Sequence, residues 1–574
     1  MNKYNFLALR HHLLLCFVAG PLLSPYAFSA DPIDHLNVQE PDVPAYLPKN
    51  PAIPFRLPPL PSAPPESGAL PGSGGESFFV KRILFRGNAV IPSSDLEAIS
   101  AAYAERHLDK GDIEALRQKL SHYYVERGYV NSGALLGEDA LVGETLTFQI
   151  VEGRLKTLRL QGLEGLNQAY VAGRLIKDKD ETLNVDTLRE RFQLLLDDLL
   201  FERMNARLMP DLHLGEAILD IDVVRARPYQ LSVFANNYRP PSIGANALGI
   251  SGWIRNLSGY GDVLDASLQN SLPDGESPRF SIGWRLPLNQ RGTQFALQVE
   301  RGRSSVVEEP VAILDIKSHL DTMDLGLSQT VLENLQHKIT LGIDRVWRKN
   351  RTTLLGEPFS FTQGEPDGVT KVTAWRFWQE YSHRSENQVL ALRSTFTSAQ
   401  NNLQNSAGLP PGGAPQPDTE YTLWLGQGHY ARQMLGQGAQ VILRGNVQRT
   451  SDTLLPLDRM SIGGIHTVRG YRENQVLADN GSIINLEFDY PLLRHQGKEL
   501  NLALIPFYDW GHGRNFGNSA VTLSSAGLAA RVGWQKFSLD LVLARRLVHP
   551  ESVNRTGGTL QDHGVHCQIT YNFF

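Results

Sequence analysis

Past its first two dozen residues the chain has no run of apolar residues long enough to cross a membrane as a helix. Cysteine is almost absent. Of the two, Cys16 lies in a segment expected to be removed, which leaves Cys567 alone and excludes an intrachain disulfide in the mature chain. Excess positive charge is missing too: 55 basic against 60 acidic residues give a net charge of −5, so charge offers no support for nucleic-acid binding. The phosphate-cradling G-x-x-x-x-G-K-[ST] loop, H-E-x-x-H and C-x-x-C do not occur, which removes the strong signatures of nucleotide hydrolysis and zinc chemistry. No catalytic residue, cofactor or metal is therefore expected. The 16 histidines are scattered; His563 and His566 read as lining a strand end, and Gly511-His512-Gly513 reads as a turn. What is present is a chain of 574 residues, 41% hydrophobic and 20% charged, long enough for two or more folded domains.

Lys3, Arg10, His11 and His12 precede the apolar stretch Leu13–Leu23 and then the small pair Ala27 and Ser29. That order describes a secretory signal peptide over 1–29, cut after Ser29. Residues 30–75 form a linker: 12 of the 33 prolines fall between 31 and 75, with Gly-Ser-Gly-Gly at 72–75. A helix within 31–40 has room only to be short.

From Glu76 the texture becomes mixed α/β. Phe78–Arg86 alternates as a strand, and helices are expected over Ser94–Arg106 and Asp112–Arg127. The first is capped by Ser93 or Ser94 with Glu97 three residues on, and the second is stopped by Gly128. Strands Tyr129–Leu136 and Thr145–Val151 complete a β-α-α-β-β unit over 76–153. A second unit over 154–227 repeats the order with strand Leu155–Gly162, helices Asn167–Leu175 and Val185–Leu200, and strands Ala206–Pro210 and Ala217–Val224.

From Pro228 the helical period disappears and sixteen alternating segments follow to the end of the chain, one per about 22 residues. In 483–492, Ile484, Leu486, Phe488, Tyr490 and Leu492 share one face, and Asn485, Glu487 and Asp489 the other. Leu502, Leu504, Pro506, Tyr508 and Trp510 likewise oppose Asn501, Ala503, Ile505, Phe507 and Asp509. Carboxylates do not sit unpaired in a dry core, whereas a water-filled lumen accepts them. The opposite face carries the aliphatics and aromatics that lipid requires, and closure removes the open edges that hydrocarbon does not tolerate. Residues 228–574 are therefore expected to form a transmembrane antiparallel β-barrel of about sixteen strands. Val565, Cys567, Ile569, Tyr571 and Phe573 face lipid on the closing strand, and Phe574 falls on the other face.

One constellation stands apart. The turn-rich segment Ser461–Tyr471, ending in Val468-Arg469-Gly470-Tyr471, occupies the longest late gap between strands, about 451–480, and Phe507-x-Asp509-x-Gly511 follows two strands on. Residues 507, 509 and 511 point to the polar, lumenal side. Spacing leaves two readings open. Arg469 on a long loop meets Asp509 inside the barrel as a bidentate pair, or Arg469 lies on an exposed loop while Asp509 faces channel water.

These motifs, the two preceding units and the aromatic final strand resemble the outer-membrane transporters of two-partner secretion, the TpsB family of the Omp85 superfamily. The resemblance runs from about residue 76 to the end. It implies that 76–153 and 154–227 are periplasmic POTRA domains and that Arg469 pairs with Asp509 in a loop inserted into the lumen. It further implies a partner exoprotein of the TpsA type, with an N-terminal secretion domain, recognised unfolded by the POTRA domains and exported without nucleotide hydrolysis. Lipid of the bacterial outer membrane is a partner, and nucleic acid is not. An Omp85-type insertase that assembles other barrels is the alternative, and a passive porin is disfavoured by the periplasmic units.

Overall fold

In a computed structural model, residues 40–47, 55–56 and 77–573 are described, apart from 138, 179, 273–276, 310, 405–414, 435–437, 496, 498 and 550–557. The expected signal peptide and Phe574 lie outside the described residues, as does the 31–40 segment except for Glu40, which is not helical. The chain divides into two compact units, Asn50–Arg227 and the segment Pro228–Phe574 together with the residues before Asn50.

Asn50–Arg227 holds two modules of one topology. In the first, Thr145–Val151 is the central strand, with Arg82–Arg86 parallel on one side and Gly133–Leu135 antiparallel on the other. In the second, Glu216–Arg225 is central, between Arg154–Gln161 (parallel) and Phe201–Pro210 (antiparallel). Helices cover one face of each sheet. Leu116, Leu120 and Tyr124 recur every fourth residue along Lys110–Glu126, so one stripe of that helix packs on Leu146 and Phe148 of the sheet. Val171, Phe192, Met204 and Leu219 form the equivalent core of the second module.

The first helix is shorter than its pattern suggests. It spans Ser93–Ser100 without a side-chain cap, and Pro92 stands at the N-cap in place of Ser93 or Ser94. Glu105 takes a positive φ of 57°, which turns the chain so that Arg106–Leu108 pairs with Phe78–Val80. The reciprocal capping box sits one helix later, between Asp109 and Asp112. Asn184 caps helix Val185–Leu196 through Asp186 N (3.0 Å) and Thr187 N (3.1 Å), and its amide donates to Arg127 O at 2.9 Å, which ties the two modules together.

The second unit is a closed barrel. Its sixteen strands, all paired antiparallel, are β1 (Tyr229–Asn236), β2 (Asn246–Arg255), β3 (Val263–Leu272), β4 (Arg279–Pro287), β5 (Thr293–Ser305), β6 (Lys317–Glu333), β7 (His337–Leu354) and β8 (Val369–Arg384). They continue as β9 (Gln388–Asn401), β10 (Glu420–Met434), β11 (Ala439–Arg449), β12 (Asn480–His495), β13 (Leu500–Arg514), β14 (Val521–Trp534), β15 (Phe537–Arg546) and β16 (Val565–Asn572). β16 closes on β1 from Ser232↔Asn572 to Asn236↔Gln568, and side chains reinforce the seam: Ser232 Oγ donates to Asn572 at 2.6 Å and Asn236 Nδ2 to Gln568 at 3.0 Å.

The two faces of the wall differ as alternation requires. On β12, Ile484 and Leu486 are 45% and 46% exposed to the outside, while Asn485 and Glu487, turned inward, are 3% and 7% exposed. Inward-facing charges pair across the lumenal wall, Arg279 with Glu300 at 2.6 Å, Arg393 with Glu380 at 3.1 Å and Arg376 with Asp324 at 3.3 Å. The segment 40–47 belongs to this unit: Tyr46 Oη donates to Gln440 at 2.8 Å, and Leu47 N donates to Ser385 O at 2.9 Å.

All eight tryptophans lie on barrel strands, whereas every described α-helix lies in Asn50–Arg227, so fluorescence and the far-UV helix signal report the two units separately. Phe192→Ala is expected to cost the helical unit about 3–5 kcal/mol. In denaturant titrations of the detergent-solubilised chain, the helix transition moves to lower denaturant and the tryptophan transition stays in place. A shared shift of both signals contradicts independent cores.

Candidate functional site

The connection between β11 and β12, residues 450–479, folds into the barrel. Its root is fixed by Asp458, which takes Arg348 Nη1 of β7 at 2.7 Å and the Tyr421 hydroxyl of β10 at 2.5 Å. A short hairpin, Met460–Ile462 against Val476–Ala478, then carries the tip. At its end Gly463 and Gly464 adopt φ near +110°, and Gly470 has φ +88°. An added Cβ at Gly470 would stand 2.7 Å from Ala544 Cβ of β15, so both backbone conformation and space demand glycine there.

The tip places Arg469 against β12 and β13. Arg469 N and Nε both donate to Asp509 Oδ2, at 3.0 and 2.7 Å, and Nη2 donates to Oδ1 at 2.7 Å. Asn485, directly opposite Asp509 in the β12–β13 register, donates to the same Oδ1 at 2.8 Å. Four donors thus saturate one carboxylate. Asp509 is 0% and Arg469 5% exposed, so the pair is shielded from competing water. The remaining guanidinium nitrogen, Nη1, lies 2.7 Å from Glu487 Oε1, and Arg444 of β11 pairs with that same Glu487 oxygen. Charge therefore alternates Arg444–Glu487–Arg469–Asp509, and each buried ion faces an opposite one. The Phe507 ring lies 3.6 Å from Arg469 Cζ and covers the guanidinium face.

Each sequence-predicted residue has a place here. Val468 is fully buried in the apolar cluster of Ile462, Tyr471, Ile483 and Leu523 that seats the loop. Gly470 N donates to His566 Nε2 at 3.1 Å, and Gly470 O accepts from Arg546 Nε at 2.5 Å. The Tyr471 hydroxyl reaches the carbonyl oxygens of Ser524 (2.9 Å) and Val548 (2.5 Å).

Gly511 requires a correction. Gly511-His512-Gly513 is no turn but the interior of β13. A Cβ at Gly511 would stand 2.5 Å from Ile462 Cγ2 and 2.7 Å from Val468 Cγ2, and one at Gly513 would stand 2.7 Å from Ala478 Cβ. The glycines clear a floor on which the hairpin lies.

Glu487, Asn485, Arg444, His566 and the pair Arg472–Asp562 (2.5 Å) that locks the tip to the β15–β16 connection are members of the site that the sequence pattern did not bring to it. Alternation had already put Asn485 and Glu487 on the polar face. The missing information was the register that sets Asn485 beside Asp509.

A family described as haemolysin secretion/activation protein ShlB/FhaC/HecB matches residues 215–533. The chain belongs to that family. The ShlB-type POTRA domain matches residues 78–153. Relatives of this ShlB/FhaC/HecB member include the heme/hemopexin transporter protein HuxB of Haemophilus influenzae (strain 86-028NP), 22% identical over 467 residues that cover 76% of each chain. The outer membrane transporter CdiB of Dickeya dadantii (strain 3937) is 21% identical over 489 residues, 80% of this chain and 83% of that one. CdiB from Escherichia coli shares the fold with a TM-score of 0.66 at 20% identity, over 89% of this chain and 93% of that chain. CdiB from Acinetobacter baumannii does so at 0.60 and 16%, over 99% and 97%. The ShlB/FhaC/HecB member is thus an outer-membrane secretion transporter for a secreted protein, with its POTRA domain in the periplasm.

Removing one partner of a buried ion pair costs roughly 3–5 kcal/mol, and a Cβ on the glycine floor attacks the same contact sterically. Both Arg469→Ala and Gly511→Val are therefore expected to unseat the tip. Limited proteolysis should cut within 462–476 in either variant and not in the parent, while tryptophan fluorescence stays that of a folded barrel. Protection of the loop in Gly511→Val contradicts the close-packed floor.

Proposed function

We propose that this transporter collects one unfolded exoprotein of the TpsA type on its periplasmic modules and passes it through the barrel without nucleotide hydrolysis. The observation that carries the reading is the lumenal clamp. A loop anchored at its root and seated at its tip by Arg469 gives the conduit a fixed internal wall, which a passive pore does not need. The passenger's N-terminal secretion domain is recognised by the modules over 76–153 and 154–227, the latter a second POTRA domain. Strand addition supplies the recognition: the edge strand Phe201–Pro210 already accepts Phe55–Arg56 of the chain itself as a parallel neighbour, at Ala206 and Arg207. Such an edge offers backbone hydrogen bonds to any extended segment, which suits an unfolded cargo. Folding of the passenger outside the cell makes the passage irreversible. Two modules rather than a longer array favour export over barrel assembly.

Export is expected to stop in Arg469→Ala while the variant still reaches the outer membrane in normal amount. Culture fluid of the deletion strain should lack one large secreted protein, restored by the parent gene and not by the variant. Full secretion by Arg469→Ala removes the loop from the mechanism. Depletion of many outer-membrane proteins in the deletion strain overturns export in favour of assembly.

A further inference from the structure

The outer wall of β5–β8 carries a basic patch that nothing in the translocation mechanism uses. Arg348 of β7 points inward to Asp458, so Trp347, Lys349 and Arg351 point outward. Register then assembles two transverse rows on the outside. One runs Arg301, Asp321, Lys349, Lys371, and the next, toward the rim, runs Arg303, His319, Arg351, Val369. These rows hold five permanent cations, Arg301, Lys349, Lys371, Arg303 and Arg351, against the single carboxylate Asp321. Asp321 is shared, 3.3 Å from Arg301 and 3.9 Å from Arg351. Side chains of Arg301, Arg303, Arg351 and Lys371 are open to the surroundings.

The rows directly beneath are apolar and aromatic: Val299, Met323, Trp347, Thr373, then Leu297, Leu325, Arg345, Trp375. Met323, Trp347 and Trp375 are exposed on the outer surface, and Arg345 Cζ lies 4.8 Å from the Trp375 ring and 5.6 Å from that of Trp347. Tryptophans with an arginine between them mark the level where hydrocarbon gives way to headgroups. The patch lies at the end of the barrel opposite the start of β1, which follows directly on the periplasmic modules in sequence, and so faces the outer leaflet.

We propose that this face binds a phosphorylated glycolipid of the outer leaflet. Its acyl chains lie on the band below Trp347 and Trp375, and its phosphate groups meet Arg301, Arg303, Lys349, Arg351 and Lys371. Guanidinium groups hold phosphate oxygens bidentately, and their placement on β5, β7 and β8 spreads the cations across the wall rather than along a single strand. A dense cation cluster on an otherwise acidic protein, at headgroup depth, is matched by an anion tethered to hydrocarbon.

Native mass spectrometry of the full-length protein in detergent, titrated with bisphosphorylated lipid A, its dephosphorylated form or inorganic phosphate, tests this. The parent should bind lipid A, with the dephosphorylated form and inorganic phosphate each at least about tenfold weaker, and Arg303→Gln/Arg351→Gln/Lys371→Gln should lose at least about tenfold in lipid A affinity. Tryptophan fluorescence verifies the variant's barrel. Should that variant not fold, the phosphorylated-to-dephosphorylated ratio of the parent decides alone. Equal binding of the two lipids, or unchanged lipid A affinity in a folded variant, overturns the proposal. Equal binding of inorganic phosphate reassigns the patch to free anions and likewise overturns it.

Discussion

A charged carboxylate inside a cylinder of oil has one place to go, the lumen, and there it needs a cation or water. That constraint organises the barrel. It sorts Asn485, Glu487 and Asp509 to the inner wall and Ile484, Leu486 and Tyr508 to the outer one. It also leaves the inner wall with a deficit of positive charge around β12 and β13, which Arg469 fills from the loop that precedes β12 in sequence. The clamp is thus a consequence of the sorting, and its strength comes from satisfaction. Both oxygens of Asp509 take two donors each, and the spare nitrogen of Arg469 is taken up by Glu487.

Satisfaction alone does not position a loop. Ion pairs tolerate translation, whereas packed glycines do not. The floor at Gly511 and Gly513 sets the depth at which the hairpin lies, and Gly470 wedged beside Ala544 fixes where the tip meets β15. Tyr471 and Arg472 then reach past the tip to Ser524, Val548 and Asp562, so that one short motif spans from β12 to β16. Such a brace leaves the conduit's inner wall fixed rather than rebuilt with each passage.

Much of this was legible in the residues. Ile484 to Asp489 alternate so cleanly that the two faces of β12 could be assigned, and the inward set on β13 followed in the same way. The sixteen strands were recoverable because periodicity is local. What local pattern hides is register. Glu487 could be placed on the lumenal face, but only pairing across β12 and β13 shows that it, like Asp509, stands under Arg469. Gly511-His512-Gly513 misled for a related reason: glycines read as a turn when the body they make room for is a loop some fifty residues away in sequence. The first helix misled through its cap, since Ser94 and Glu97 have the right spacing yet Pro92 stands at the N-cap and the chain turns at Glu105. The basic rows on β5–β8 are invisible along the chain, because no strand contributes more than two of their cations.

The Asp509 carboxylate holds the Arg469 tip against the wall. Hydrogen exchange of the 463–473 segment in the bilayer-embedded protein tests it most directly, because the Arg469 amide is itself one of the donors to Asp509. These amides are expected to exchange as slowly as those of β12 and β13, and Asp509→Asn to release them while the strands stay protected. Exchange of the parent's 463–473 segment at the rate of an open surface loop would contradict it.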